Sequence, residues 1–188
     1  MARVLVVGGG FGGVVAAESL VKKLGSEHEI TLVSRSRRFL FYPALVRFAF
    51  GQYQVEDISF DLREAMLDRR IRFVEGEVAR VNPHKRQITF AQGDLVGEMP
   101  YDFLVLALGR RLATERVTGF FENAHHLLGI EAARKFGEAI RSFHQGHAVI
   151  GYCPGARLPI PVFETAFALS RLLEEQKRGR PLHDHHRQ

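Results

Sequence analysis

Residues 4–7, Val4-Leu5-Val6-Val7, form a continuous apolar run, the pattern of a parallel strand covered on both faces. A glycine-rich segment follows at once. Beyond it Ala17, Leu20, Val21 and Leu24 recur at helical spacing, with Lys22 and Lys23 in the last turn and Gly25 placed to stop the helix. Ile30-Thr31-Leu32-Val33 then completes a strand–helix–strand unit of ordinary βαβ size. Residues 34–57 lack periodicity but carry Phe39, Phe41, Tyr42, Phe48, Phe50 and Tyr53, and read as an ordered insertion. Asp61, with Glu64 three residues on, offers a capping-box-like start to a short helix using Leu62, Ala65 and Met66. A third strand is predicted over residues 71–74.

From Glu77 the pattern changes to two short strands, residues 78–81 and 87–90, with turns at 82–85 and 92–94, which predicts a hairpin or small meander. Residues 103–107 return as a buried strand that ends at Leu108-Gly109. A polar connection containing Gly119 and the pair His125-His126 leads to a helix around 132–143. A new apolar strand, residues 148–150, then enters Gly151-Tyr152-Cys153-Pro154-Gly155-Ala156 and a final helix at about 163–176. The predicted class is α/β: a Rossmann-like domain with a parallel sheet and a small antiparallel meander over residues 1–112, then the beginning of a second Rossmann-like domain over 113–176. Residues 177–188 read as a disordered tail. The two strand–glycine loop–helix starts suggest a duplicated architecture, with no repeat at solenoid period.

Composition narrows this little. A chain of 188 residues, 46% hydrophobic and 25% charged, has the balance of an ordinary globular protein. Its single cysteine, Cys153, excludes an internal disulfide framework and a zinc site built on cysteine pairs, and suggests a cytoplasmic setting. No leader precedes the first strand, and no apolar run approaches the roughly 20 residues that span a bilayer, so any membrane contact is expected to be peripheral. The net charge of +5 comes from basic residues dispersed among acidic ones, without interleaved aromatics, which argues against a nucleic-acid partner. His183-Asp184-His185-His186 reads as a polar tail, and no metal site is predicted.

The chemistry lies in Gly8-Gly9-Gly10-Phe11-Gly12-Gly13. In the spacing Gly8-x-Gly10-x-x-Gly13, the first glycine makes the turn out of the strand and the second lets a pyrophosphate approach the backbone. The third lets the helix pack close to the strand. A helix N-terminus then presents N–H groups and a positive dipole end to the phosphates. At the end of the second strand, where an acidic residue commonly binds a ribose 2′-hydroxyl, this chain has Ser34 and Arg35. Ser34 can still bond a ribose. Arg35 can accept a 2′-phosphate, so NADP competes with FAD at this point, or Arg35, Arg37 and Arg38 are surface charge.

The order of motifs resembles the two-dinucleotide-binding-domain flavoproteins, more narrowly the sulfide:quinone oxidoreductases and the related type II NADH dehydrogenases. The resemblance covers nearly the whole chain. It rests on the glycine loop, Ile30-Thr31-Leu32-Val33-Ser34 leading to Phe39-x-Phe41-x-Pro43, and Phe73-Val74-x-Gly76-x-Val78. It continues through Tyr101-Asp102-Phe103-Leu104-Val105-Leu106-Ala107-Leu108-Gly109 and from Pro154-Gly155-Ala156 to Pro161-x-x-Glu164. It implies FAD as cofactor, with its pyrophosphate on Gly8, Gly10, Phe11, Gly12 and Gly13. Ser34 and Arg35 would lie on the ribose side, Val78 would meet the adenine through its backbone, Pro43 would lie near the flavin ring, and Ala107, Gly109 and Arg110 would close under the cofactor. Glu164 matches a family glutamate on the flavin and quinone side and is a candidate proton carrier, although an early-helix position suits any acid.

Several positions depart from the family pattern. Leu108 replaces a threonine, Leu158 stands where the family has a redox cysteine, and Cys153, five residues earlier, reads as a small buried residue. The second loop aligns Gly151, Cys153 and Ala156 with the three glycines, which disfavours a nicotinamide nucleotide there. The family's chains are longer, their remainder supplying further FAD contacts and the quinone pocket. The resemblance therefore implies a truncated flavoprotein moving two electrons from a reduced donor, sulfide by resemblance, to a quinone-type acceptor, with a second polypeptide or a homo-oligomer completing the site. The alternatives are a non-catalytic nucleotide-binding or regulatory remnant, or an NADP-binding protein using Arg35.

Overall fold

The computed structural model describes residues 1–109, 117–156 and 158–177. They divide into two compact units, one of residues 1–40 and 59–109 and the other of residues 41–58, 117–156 and 158–177.

In the first unit, β1 (Arg3–Val7) leads through the glycine loop into α1 (Phe11–Leu24) and back to β2 (Glu29–Ser34). Gly25 ends α1, its N–H donating to the Val21 carbonyl at 3.0 Å. Next come β3 (Arg38–Leu40), which pairs antiparallel with β4 (Ser59–Asp61), and α3 (Leu62–Asp68). The Asp61 carboxylate accepts the Glu64 amide at 3.1 Å, which is the expected cap. β5 (Arg72–Glu75) follows, then a meander of β6 (Glu77–Asn82), β7 (Gln87–Gln92) and β8 (Leu95–Pro100), and finally β9 (Phe103–Leu106). The parallel sheet runs β5-β2-β1-β9.

Strand alternation divides the core between the two sheet faces. Val4 and Val6 of β1, with Ile30 and Leu32 of β2, pack under α1 and α3 against Val14, Ala17, Leu62 and Met66. Leu5, Val7 and Val33 face the other way and meet Ile88 and Tyr101 with Phe90 and Met99 of the meander. Leu32, Leu62 and Met66 are fully buried, each contributing about 1.5–3 kcal/mol relative to exposure. Across the start of the sheet, the Asp102 carboxylate accepts the Arg3 amide at 2.7 Å and pairs with its guanidinium at 3.1 Å.

The second unit holds a single 3₁₀ turn (Tyr42–Ala44), α2 (Leu45–Ala49), α4 (Phe120–Asn123), α5 (Ile130–Ser142) and α6 (Ile160–Lys177). Of the aromatic insertion, residues 42–49 are helical and residues 38–40 form β3, and α2 packs against α5. A Cβ at Gly137 would stand 2.5 Å from the Ala49 carbonyl oxygen, and the Phe50 and Phe136 rings meet edge to face at 6.3 Å. Residues 148–150, expected as a strand, form none. Val149 is 96% exposed, and among the described residues no neighbouring strand exists to accept its hydrogen bonds. The tail expected to be disordered lies outside the described residues from 178 onward.

Candidate functional site

The carboxyl ends of β1, β2 and β9 converge around the glycine loop, where ligands bind in open parallel sheets. Gly8 leaves β1 with φ +120°, its N–H donating to the Val33 carbonyl at 2.8 Å. That φ favours glycine, and a Cβ there would also stand 2.1 Å from the Ala107 oxygen. Gly13 is required by contact alone, because a Cβ would reach 1.7 Å from the Gly8 oxygen as α1 returns over β1. Gly9, absent from the three-glycine pattern, is equally constrained. A Cβ there would collide with the Ser34 hydroxyl at 2.4 Å and Leu62 at 2.7 Å.

Gly10 differs from all three. It is the N-cap of α1 in an extended conformation open to any residue, and a Cβ built on it meets nothing within 4 Å. At Gly12 the nearest atom is the Ala107 Cβ at an ordinary 3.7 Å. No side chain caps α1, and its own first turn holds no acidic residue to meet the dipole's positive end. The loop thus combines glycines that the fold needs with two that only an approaching group would need. Those residues fit a pyrophosphate.

The flanking residues refine the expectations. Ser34 is buried, and its hydroxyl donates to the Ser36 carbonyl at 2.8 Å, leaving lone-pair capacity rather than its proton for a ribose. Among the three arginines, Arg37 pairs with Asp61 and Glu64, and Arg38 donates to the Ser59 hydroxyl at 3.2 Å. Arg35 is exposed and makes no ion pair or side-chain hydrogen bond among the described residues. Burial pushes the Asp61 carboxyl upward, but the Glu64 amide and the Arg37 guanidinium outweigh it and hold it below the usual value. Phe11 packs edge-on against Phe39 at 5.1 Å, and Phe39 stacks on Phe60 at 4.6 Å, fixing the first turn of α1 over the β3–β4 pair.

Ala107 bonds to β1 through its N–H, at 2.8 Å from the Val7 carbonyl, and Gly109 follows with φ +73°. Val78 lies on β6 beside a register shift between it and Arg80. Arg110 lies outside the described residues, as does the His183–His186 cluster. Pro43 belongs to the second unit, in the 3₁₀ turn. So does Glu164, whose carboxylate pairs with Arg47 at 3.6 Å, tying α6 to α2, while Arg47 also donates to the Tyr53 hydroxyl at 3.3 Å. Cys153 is half-buried rather than buried, consistent with the missing strand before it. His126 stacks on Phe120 at 5.3 Å, and burial, with His125 and Lys135 nearby, lowers its pKa. Among the described residues no cluster of His, Cys, Asp or Glu could hold a metal, and no helix is long and apolar enough to cross a membrane.

A family model described as pyridine nucleotide-disulphide oxidoreductase matches residues 2–151. The sulfide-quinone reductase of Aquifex aeolicus (strain VF5) is 32% identical over 179 residues, covering 94% of this chain and 40% of that protein. A type II NADH:quinone oxidoreductase of Staphylococcus haemolyticus is 26% identical over 147 residues, covering 78% of this chain and 36% of the relative. Among solved structures, the sulfide:quinone oxidoreductase of Aquifex aeolicus superposes with a TM-score of 0.85 at 31% identity, over 96% of this chain and 41% of the other. The chain spans about 40% of the length of these relatives.

Proposed function

We infer that this chain, which belongs to the pyridine nucleotide-disulphide oxidoreductase family, holds the pyrophosphate of FAD on the loop from Gly8 to Gly13 and forms the dinucleotide-binding part of a flavin-linked oxidoreductase that reduces a quinone. The observation that carries this reading is Gly10: a glycine that no neighbouring atom requires, at an uncapped helix N-terminus. The first-turn amides of α1 would receive the phosphate oxygens, and Gly10 and Gly12 would let them approach. Gly8, Gly9 and Gly13 hold the loop in shape. Ser34 and Arg35 would orient the ribose side, with the Val78 backbone on the adenine. Ala107, Gly109 and Arg110 would close under the cofactor, with Pro43 near its ring. FAD supplies two-electron chemistry when bound.

FAD is favoured over a nicotinamide nucleotide because the order of motifs along the chain resembles that of flavoproteins, and because Cys153 interrupts the second glycine loop. Quinone enters from the names of those relatives, and contact with a membrane would be peripheral. Sulfide is the weaker part of the resemblance. Leu158 replaces the cysteine expected there, and the single thiol of Cys153 cannot form an internal disulfide. Glu164 acts here as the α2–α6 ion pair with Arg47, which gives it a structural role whether or not it carries protons.

One observation favours a second reading. Of Arg35, Arg37 and Arg38, Arg35 alone makes no ion pair or side-chain hydrogen bond among the described residues, as is expected of a reader of a ribose 2′-phosphate. Parallel titrations of the purified chain with FAD, NADP and NAD separate the two. Saturable FAD binding with visible flavin absorbance supports the first reading. NADP binding tighter than NAD, without FAD binding, replaces it with the second.

A further inference from the structure

The short helix α4 has no buried residue, and four residues are too few for a helix to hold itself together in water. Gly119 opens it with φ +77°, and its polar contacts are local: the Asn123 amide and side chain both donate to the Gly119 carbonyl, at 3.0 and 3.1 Å. Aromatic rings join it to residues beyond its own turn. His126 stacks on Phe120 at 5.3 Å and meets Phe121 edge to face at 5.2 Å. Phe120 and Phe121 meet edge to face at 5.3 Å, so the three rings close a triangle. Beside it, His125 lies against Phe136 of α5 at 6.2 Å.

The Nδ1 atom of His126 is buried in this cluster and has no hydrogen-bond partner among the described residues. A neutral imidazole tolerates this, because it carries one N–H and Nδ1 can be the bare nitrogen. The imidazolium carries an N–H on both nitrogens, and the one on Nδ1 would be a buried donor without an acceptor. Burial first, then His125 on its own segment and Lys135 on α5, disfavour the positive charge and lower the His126 pKa. Of the other charged groups on these elements, Glu122 of α4 is exposed, and Glu131 and Arg134 of α5 pair with each other at 3.7 Å. The Phe120 face attracts a cation, but only weakly at a site this close to water. We propose that His126 is a proton-operated latch: neutral, it closes the ring cluster over α4, and on taking up a proton it leaves the cluster and α4 unwinds. A histidine whose pKa is lowered by folding favours the closed form above its ordinary value of 6.5, and that preference is lost as pH falls below it.

Hydrogen exchange of the full chain at about pH 7.5 and about pH 5.5, corrected for the intrinsic pH dependence of exchange, brackets the ordinary histidine value. The Asn123 and Ala124 amides, which donate within α4, should lose protection several-fold at the lower pH, while those of β1 and β2 keep theirs. His126→Phe keeps a ring in the cluster and takes up no proton, so its α4 amides should be equally protected at both pH values. His125→Gln should retain the loss seen in the wild type. The proposal is overturned if the wild-type α4 amides are equally protected at both pH values, if the loss persists in His126→Phe, or if it vanishes in His125→Gln. Circular dichroism checks that each variant folds. Should His126→Phe fail to fold, the wild-type imidazole resonances decide: His126 must titrate together with the opening, and titration that leaves the α4 amides unchanged overturns the latch. No flavin enters the readout, so its outcome is independent of the cofactor reading.

Discussion

Among single residues, the glycines of the loop separate by what each would collide with. A Cβ at Gly13 meets the Gly8 carbonyl oxygen at 1.7 Å, and neither backbone segment can yield without moving α1 off β1. Gly13→Ala should therefore cost about 3 kcal/mol or more of stability. At Gly10 the conformation is extended and nothing lies within 4 Å. For Gly10→Ala the gain from a less flexible unfolded chain and the loss of a favoured N-cap nearly offset, so stability should change by less than about 1 kcal/mol. Chemical denaturation of the two variants checks this, and equal losses would mean that the loop is purely structural. The motif named Gly8, Gly10 and Gly13, but Gly9 was legible only from the fold, because its crowding comes from Ser34 and Leu62, distant in sequence.

Elements defined by local pattern were legible: β1, α1 and β2 from apolar periodicity and the stop at Gly25, and α3 from the Asp61 cap. Elements defined by distant partners were not. Residues 41–58 have no period because they fold against α5, and the β3–β4 pair joins segments on either side of them. Residues 148–150 have strand composition without a strand partner. The first sheet pair is also tied by charge. The Arg3 side chain and amide hold the Asp102 carboxyl down at about 2, below its ordinary value of 3.8. A depressed carboxylate pKa stabilises above the unfolded pKa and is lost as pH falls through the folded one. The stability difference between the wild type and Asp102→Asn should hold steady above about pH 5 and close between about pH 4 and 2. Denaturation midpoints across that range test it, and a gap unchanged to pH 2 would contradict it.

At the scale of the molecule, the family was legible because its motifs are local and ordered along the chain, and the match over residues 2–151 bears that out. The cofactor arrangement was less legible. The loop, Ser34, Arg35, Val78 and Ala107 belong to one unit, while Pro43 and Glu164 belong to the other. The dinucleotide loop is therefore built within one unit, and the chain spans about 40% of its relatives. The most direct test of the central claim is isothermal titration of FAD into the wild type and Gly10→Ala side by side. Stoichiometric binding by the wild type, weakened roughly tenfold or more in a Gly10→Ala variant of unchanged stability, is the expected result, since the added methyl would stand where the proposed pyrophosphate approaches the backbone. Equal affinity in both proteins, or no binding by the wild type, would contradict it.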